Sequence, residues 1–164
     1  MNELLSNLDL TDYCKKLNIP LNGIHSKDLF NTIKPKLGCY IINLQDSNVG
    51  NGTHWTGLII KSNFSCIYFD SFGITMPYDI ICFVKRFNHK IKIYYSIDQI
   101  QHLNSIYCGW YCLYFLWFHM ILYKKENNYN GYLINKHNEI FDKNNLLYND
   151  NIIKILIKNV FNIK

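Results

Sequence analysis

One segment restricts this chain more than any other. From Ile106 to Tyr123 it reads Ile-Tyr-Cys-Gly-Trp-Tyr-Cys-Leu-Tyr-Phe-Leu-Trp-Phe-His-Met-Ile-Leu-Tyr, with His119 as its one strongly polar side chain. The run is just long enough to cross a bilayer. It is rich in Tyr, Trp and Cys, however, rather than in Leu, Val and Ala, and no other stretch reads as a membrane partner. A helix that is apolar all round also suits the centre of a packed fold. We therefore expect a buried central helix starting near Cys108, and no membrane partner.

The rest of the composition supports a packed fold. A chain of 164 residues suits one domain, and 49% hydrophobic against 18% charged residues argues against disorder. Ala is absent and Arg86 is the only arginine, a pattern of AT-biased coding. The net charge of +5 permits a polyanion partner. Lys in place of Arg forfeits bidentate phosphate forks, which weakens a nucleic-acid reading. The six cysteines show no C-x-x-C and no Cys/His ligand spacing, and three lie in apolar runs. The first residues have no basic, then apolar, leader pattern. Free thiols in a reducing compartment, without secretion, without glycosylation at Asn51 or Asn63 and without a metal, are the expectation. His25, His89, His102 and His137 likewise show no ligand spacing.

Along the chain, Leu4 to Leu17 has helical spacing and ends before Pro20. Ser26 is a candidate N-cap for a short helix through Ile33. Strands are expected over Cys39 to Leu44, His54 to Lys61 and Phe64 to Phe69, the last two joined by a hairpin at Ser62-Asn63. A helix follows from Tyr78 to Phe87, then a strand from Ile91 to Tyr95, then the apolar helix. Lys124 to Gly131 reads as a polar loop and Ile152 to Phe161 as an amphipathic last helix. The order implies an α+β fold, a sheet packed on a buried central helix.

Four residues fall where chemistry could be done. His54 opens a strand after a Gly-containing loop. Asp70 ends the neighbouring strand sixteen residues later, so a hairpin brings both to one sheet end. Cys108 starts the apolar helix, where unpaired N–H groups and the helix dipole favour a thiolate. Gln101 lies in the loop leading to it. His54 would take the thiol proton and return it to a leaving amine, and Asp70 would hold the imidazole tautomer. The Gln101 amide and the Cys108 backbone N–H would form an oxyanion hole. Taken singly, each has a plainer reading: a buried thiol, a turn aspartate, a strand-end histidine, a solvated glutamine. Taken together, they favour hydrolysis of a peptide or isopeptide bond through a thioester. Elsewhere the plainer reading holds. His119 is expected to be a hydrogen-bonded core histidine and Cys112 a packing residue. Trp55 is expected in the core, also shielding the site, with Gly109 beside the nucleophile; the Lys pairs are solvated faces.

At these residues the sequence resembles the adenovirus-type maturation cysteine proteases, the adenain family, relatives of the SUMO-specific proteases. The matching pieces are Gly52-Thr53-His54-Trp55, Tyr68-Phe69-Asp70-Ser71-Phe72-Gly73 and Gln101-His102-Leu103-Asn104-Ser105-Ile106-Tyr107-Cys108-Gly109, with Cys39-Tyr40-Ile41-Ile42-Asn43 ahead of them. The resemblance implies a papain-like cysteine protease fold, α+β, with permuted His-Asp-Cys order and a mixed sheet around the central helix. It implies His54 as base, Asp70 as orienting acid, Cys108 as nucleophile and Gln101 in the oxyanion hole. It further implies processing of virion or capsid precursor proteins beside small residues such as Gly, in the host cytoplasm or nucleus and the virion interior. The chain departs from the adenoviral pattern in having Asp for Glu. It also has no Cys between His89 and Ile100 for a disulfide-linked peptide activator, while its charge leaves nonspecific DNA as an activator. The resemblance covers residues 1–123, a catalytic core; 124–164 reads as a C-terminal helical extension of one domain, 1–164, with a monomer favoured. A deubiquitinase or deSUMOylase acting on host conjugates would use the same residues, and a non-catalytic scaffold on a dead protease fold is the remaining class.

Overall fold

The computed structural model describes residues 4–50, 52, 54–123 and 130–161. The apolar run forms helix α3 (Cys108–Trp117), continued by a π-helical turn over Phe118–Leu122. Among the described residues no helix is long and apolar enough to cross a membrane. Instead α3 lies on a five-stranded sheet, nearly all of its side chains buried.

The strands are β1 (Leu21–Ser26), β2 (Gly38–Asn43), β3 (Trp55–Ser62), β4 (Ser65–Phe69) and β5 (Lys92–Tyr95), and they lie side by side in chain order. The β2–β3 and β3–β4 pairs are antiparallel, whereas β1 and β5 join the two edges in parallel. Alternation along the strands sorts side chains onto two faces. Ile41, Ile59, Ile67 and Phe69 face α3, together with helices α1 (Asn7–Lys16) and α5 (Leu146–Phe161). Tyr40, Ile42, Leu58, Ile60 and Tyr68 face helix α2 (Tyr78–Phe87) and Phe30. At Gly57 a Cβ would stand 3.2 Å from Cys112 Sγ, so the missing side chain lets α3 settle onto β3.

The mixed sheet around a buried helix agrees with the expected fold class. Three expectations need correction. Leu21–Ser26, to which the sequence pattern assigns no element, is a strand; a register irregularity sits between Leu21 and Gly23. Ser26 caps no α-helix: a 3₁₀ turn spans Lys27–Asn31, and the Ser26 side chain makes no capping bond. Much of the expected 124–131 loop lies outside the described residues, but Asn130 and Gly131 open helix α4 (Asn130–Asn138), and α5 begins at Leu146, well before Ile152. At α1 the helix starts at Asn7, where Ser6 and Asp9 form a reciprocal capping box.

His119 is buried as expected but is not hydrogen-bonded: neither ring nitrogen has a partner among the described residues. Phe115 and Phe118 lie against it, and His137 of α4 is the nearest other imidazole. Burial holds His119 well below the usual histidine range and lowers His137 to about 4. In the unfolded chain these rings take up a proton near pH 6.5, whereas the folded chain refuses it. Between about pH 6.5 and 4 the unfolded state therefore binds more protons, and folding weakens as pH falls. For His137 the loss reaches about 3 kcal/mol at the acid end. Urea unfolding across this range should show that slope, and His137→Phe should flatten it.

Candidate active site

Strands β3 and β4 create the first half of the site. Their antiparallel register pairs Gly57 with Phe69, so the residues just before β3 and just after β4 emerge at one sheet end. His54 Nε2 lies 2.9 Å from Asp70 Oδ1, and both side chains are buried. The Phe72 N–H donates to the same carboxylate oxygen at 2.8 Å, fixing its orientation. The other oxygen, Oδ2, is buried and has no partner among the described residues. The Phe72 ring stacks on the imidazole at 4.5 Å, covering one face of it. Gly73 makes this turn possible: its φ is +72°, and a Cβ there would meet the Ile97 carbonyl oxygen at 2.6 Å.

Cys108, partly exposed at the first residue of α3, stands within hydrogen-bonding reach of His54. Tyr107 precedes it without a side-chain cap, so the first N–H groups of the helix are not taken by a capping side chain. Burial lowers the affinity of His54 for its proton, but the hydrogen bonds to Asp70 and Cys108 and their charges outweigh it. The imidazole is thereby pushed up to about 9. Cys112, one turn further on, is fully buried and its thiol is raised well above its usual range, which suits packing and not chemistry.

Gln101 is fully buried, not a solvated loop residue. Ser71 donates its hydroxyl to Gln101 Oε1 at 2.5 Å, and the Gln101 amide nitrogen donates to the Ser105 carbonyl at 2.9 Å. An amide nitrogen carries two N–H groups, so one remains beyond the bond to Ser105. The Ser71 carbonyl in turn accepts from the backbone N–H groups of Ile100 and Gln101, at 2.9 and 3.0 Å. Ser71 thus ties the turn that carries Asp70 to the loop that carries Gln101. The sequence placed Ser71 inside a motif but gave it no role; nothing in residue type or spacing signals a contact thirty positions away.

A cleft of about 470 Å³ opens beside Cys108, bounded by Gly52, Trp55, Ile106 and residues 4–8, which lead into α1. Trp55 is half-buried at its wall, and its indole N–H donates to the Leu5 carbonyl at 3.1 Å. At Gly109 a Cβ would stand 3.3 Å from the Trp55 ring and 3.2 Å from Leu5, so its absence lets these residues close in.

The fold, a mixed sheet packed on a buried helix, is shared with papain-like cysteine proteases. Among solved structures the chain is similar to the pS273R protease of ASFV, with a TM-score of 0.54 at 17% identity, covering 89% of this chain. It spans 66% of that protein's length. A selenomethionine form of the same protease matches at a TM-score of 0.53 and 14% identity, covering 93% of this chain and 68% of the other. The central domain of the uncharacterized Lpg1148 protein from Legionella pneumophila matches at 0.52 and 14% identity, covering 94% of both chains. No protein-family model matches the chain, and no curated protein does either. The likeness is one of fold and does not single out the adenovirus-type branch.

Three outcomes follow from this geometry. Ser71→Ala leaves the buried Gln101 Oε1 without its donor and should destabilise the chain by about 1–3 kcal/mol in urea unfolding. His54 keeps its proton to about pH 9, so any rate that needs the imidazolium should fall as pH climbs through that value. Asp70→Asn removes the carboxylate that raises His54 and should move this alkaline limb to lower pH; an unmoved limb would detach Asp70 from the base.

Proposed function

We propose that this chain is a thiol endopeptidase that processes viral capsid or other virion precursor proteins, cutting beside small residues such as Gly. The observation that carries this reading is the buried His54–Asp70 pair, joined to Cys108 at the open start of an apolar helix. Support for a viral setting comes from the shared fold of the ASFV protease and from the adenain-like motifs.

In this reading Sγ of Cys108 attacks the scissile carbonyl carbon after its proton passes to His54. The tetrahedral oxyanion is held by the Gln101 amide and the Cys108 backbone N–H. His54 then protonates the leaving amine as the C–N bond breaks, leaving a thioester. Water attacks that thioester, its proton going to His54, and the carboxylate product and free thiol are released. Asp70 keeps the imidazole oriented throughout. The close approach of Trp55 and Leu5 beside Gly109 narrows the cleft and favours small residues next to the cut bond. The protein acts as a monomer in the host cytoplasm or nucleus and in the virion interior, on protein substrates, with DNA as a candidate stimulating polyanion.

Cleavage-site mapping by mass spectrometry on a peptide library, with and without DNA, tests the reading. Wild type should cut beside small residues, and Cys108→Ala should lose all cuts while unfolding at nearly the same urea concentration. Equal cutting by Cys108→Ala would end the mechanism. No cutting by wild type, together with labelling by a ubiquitin-like thiol probe, would favour an isopeptidase instead.

A further inference from the structure

The chain beyond residue 123 carries no motif of its own, yet polar side chains of its helices converge on one stretch, residues 96–107. Asn138 of α4, itself buried, donates its amide to Ser96 Oγ and to Asp98 Oδ2. Asn149 of α5 is fully buried and donates to the Ile100 carbonyl at 2.8 Å, one residue before Gln101. Asp150 accepts two bonds on one carboxylate oxygen, from Ser105 Oγ at 2.8 Å and from the Tyr111 hydroxyl at 3.1 Å. One turn further along α5, the Lys154 ammonium lies 4.7 Å from the centre of the Tyr107 ring. Ser105 is also the residue whose carbonyl holds the Gln101 amide. A continuous path therefore runs from Asp150 through Ser105 to the side-chain N–H groups of Gln101.

A polar side chain fixed at both ends costs little entropy to use, and a misplaced donor loses most of its value, because a shift of about 1 Å costs about a hundredfold in rate. Buried amides and carboxylates are also expensive unless each is bonded. Core packing alone would be served as well by Leu at position 149, and half-buried Asp150 has solvent on one side to satisfy it. The polar residues there meet the loop's carbonyl and hydroxyl groups instead.

We propose that α5 is part of the machinery of the site, and that Asp150 is a positioning residue which, through Ser105, sets the Gln101 amide at the oxyanion hole. This rests on the role given to Gln101 above. The anchoring of this loop is supplied in cis by the C-terminal helices.

The test uses the full chain and the best-cleaved library peptide. Asp150→Ala should lower kcat between about tenfold and a hundredfold with KM little changed. Asp150→Asn, which keeps an acceptor oxygen for Ser105 and Tyr111, should recover most of the lost rate. In a Gln101→Ala background Asp150→Ala should cost nothing further, because the donor it positions is gone. Alkylation of Cys108 by iodoacetamide, which forms no oxyanion, should keep its wild-type rate and pH profile. Losses that multiply in the double variant, or a matching fall in alkylation, would overturn the proposal. Should Asp150→Ala fail to fold, Ser105→Ala interrupts the same path and is read the same way.

A second readout needs no turnover. The Gln101 side-chain amide signal, assigned by its loss in Gln101→Ala, should lie apart from free glutamine signals in the wild-type ¹H–¹⁵N spectrum. It should move toward them in Asp150→Ala and return in Asp150→Asn. An unmoved signal overturns the positioning role. If wild type cuts nothing, the peptidase reading falls and the proposal stands or falls on this signal alone.

Discussion

An apolar helix without a polar face has to be covered on every side, and that requirement organises this molecule. The sheet covers α3 from one direction, with Phe69 stacked on Phe115 at 4.4 Å. Helix α1 covers it from another, through Tyr13 against Trp110, and α5 closes a third side with Ile153 and Ile157. Burying one such aromatic side chain stabilises the fold by about 1.5–3 kcal/mol, so the centre of α3 has little freedom to shift. The start of the helix is then a fixed point. Cys108 inherits its position from packing that begins one turn further on.

That fixed point makes the electrostatics of the site workable. An aspartate as buried as Asp70 is costly unless its charge is answered. His54 answers it directly, and the Phe72 N–H adds a second bond to the same oxygen. The histidine is itself buried, which alone would strip its proton; the pairing reverses that tendency. His119 and His137 show the contrast within the same protein. They sit among aromatic rings, with no carboxylate among the described residues bonded to them, and burial wins there. Residue type is the same in all three cases; the facing groups decide the charge.

The parts of the molecule legible in the sequence are those governed by local pattern. The β-rich apolar run Cys39–Leu44, the hairpin at Ser62-Asn63 and the spacing of Tyr78–Phe87 each recur in the structure within a residue or two. His54, Asp70 and Cys108 could be brought together because a hairpin register and a helix start are both local inferences, and the structure places them side by side. What could not be read depends on distant partners. Strand β1 is half-exposed and exists because β2 offers it a parallel edge. Helix α4 begins at Asn130-Gly131, residues of poor helical propensity, and it is held by Leu133 in the core and Asn138 on the Ser96 segment. Ser71 and Asn149 look like any surface residue until their partners thirty and forty-nine positions away are known.

The bond from the Trp55 indole to the Leu5 carbonyl joins positions fifty residues apart across the mouth of the cleft. One wall of that cleft is therefore built from residues 4–8, which lead into and open α1 and include none of His54, Asp70 and Cys108. Part of the aperture is thus encoded apart from the stretches that carry His54, Asp70 and Cys108. Bulkier or smaller residues at positions 4 to 8 change what can enter while the His54–Asp70 geometry stays as it is. The width of that opening is thus set partly by a short segment that can vary on its own.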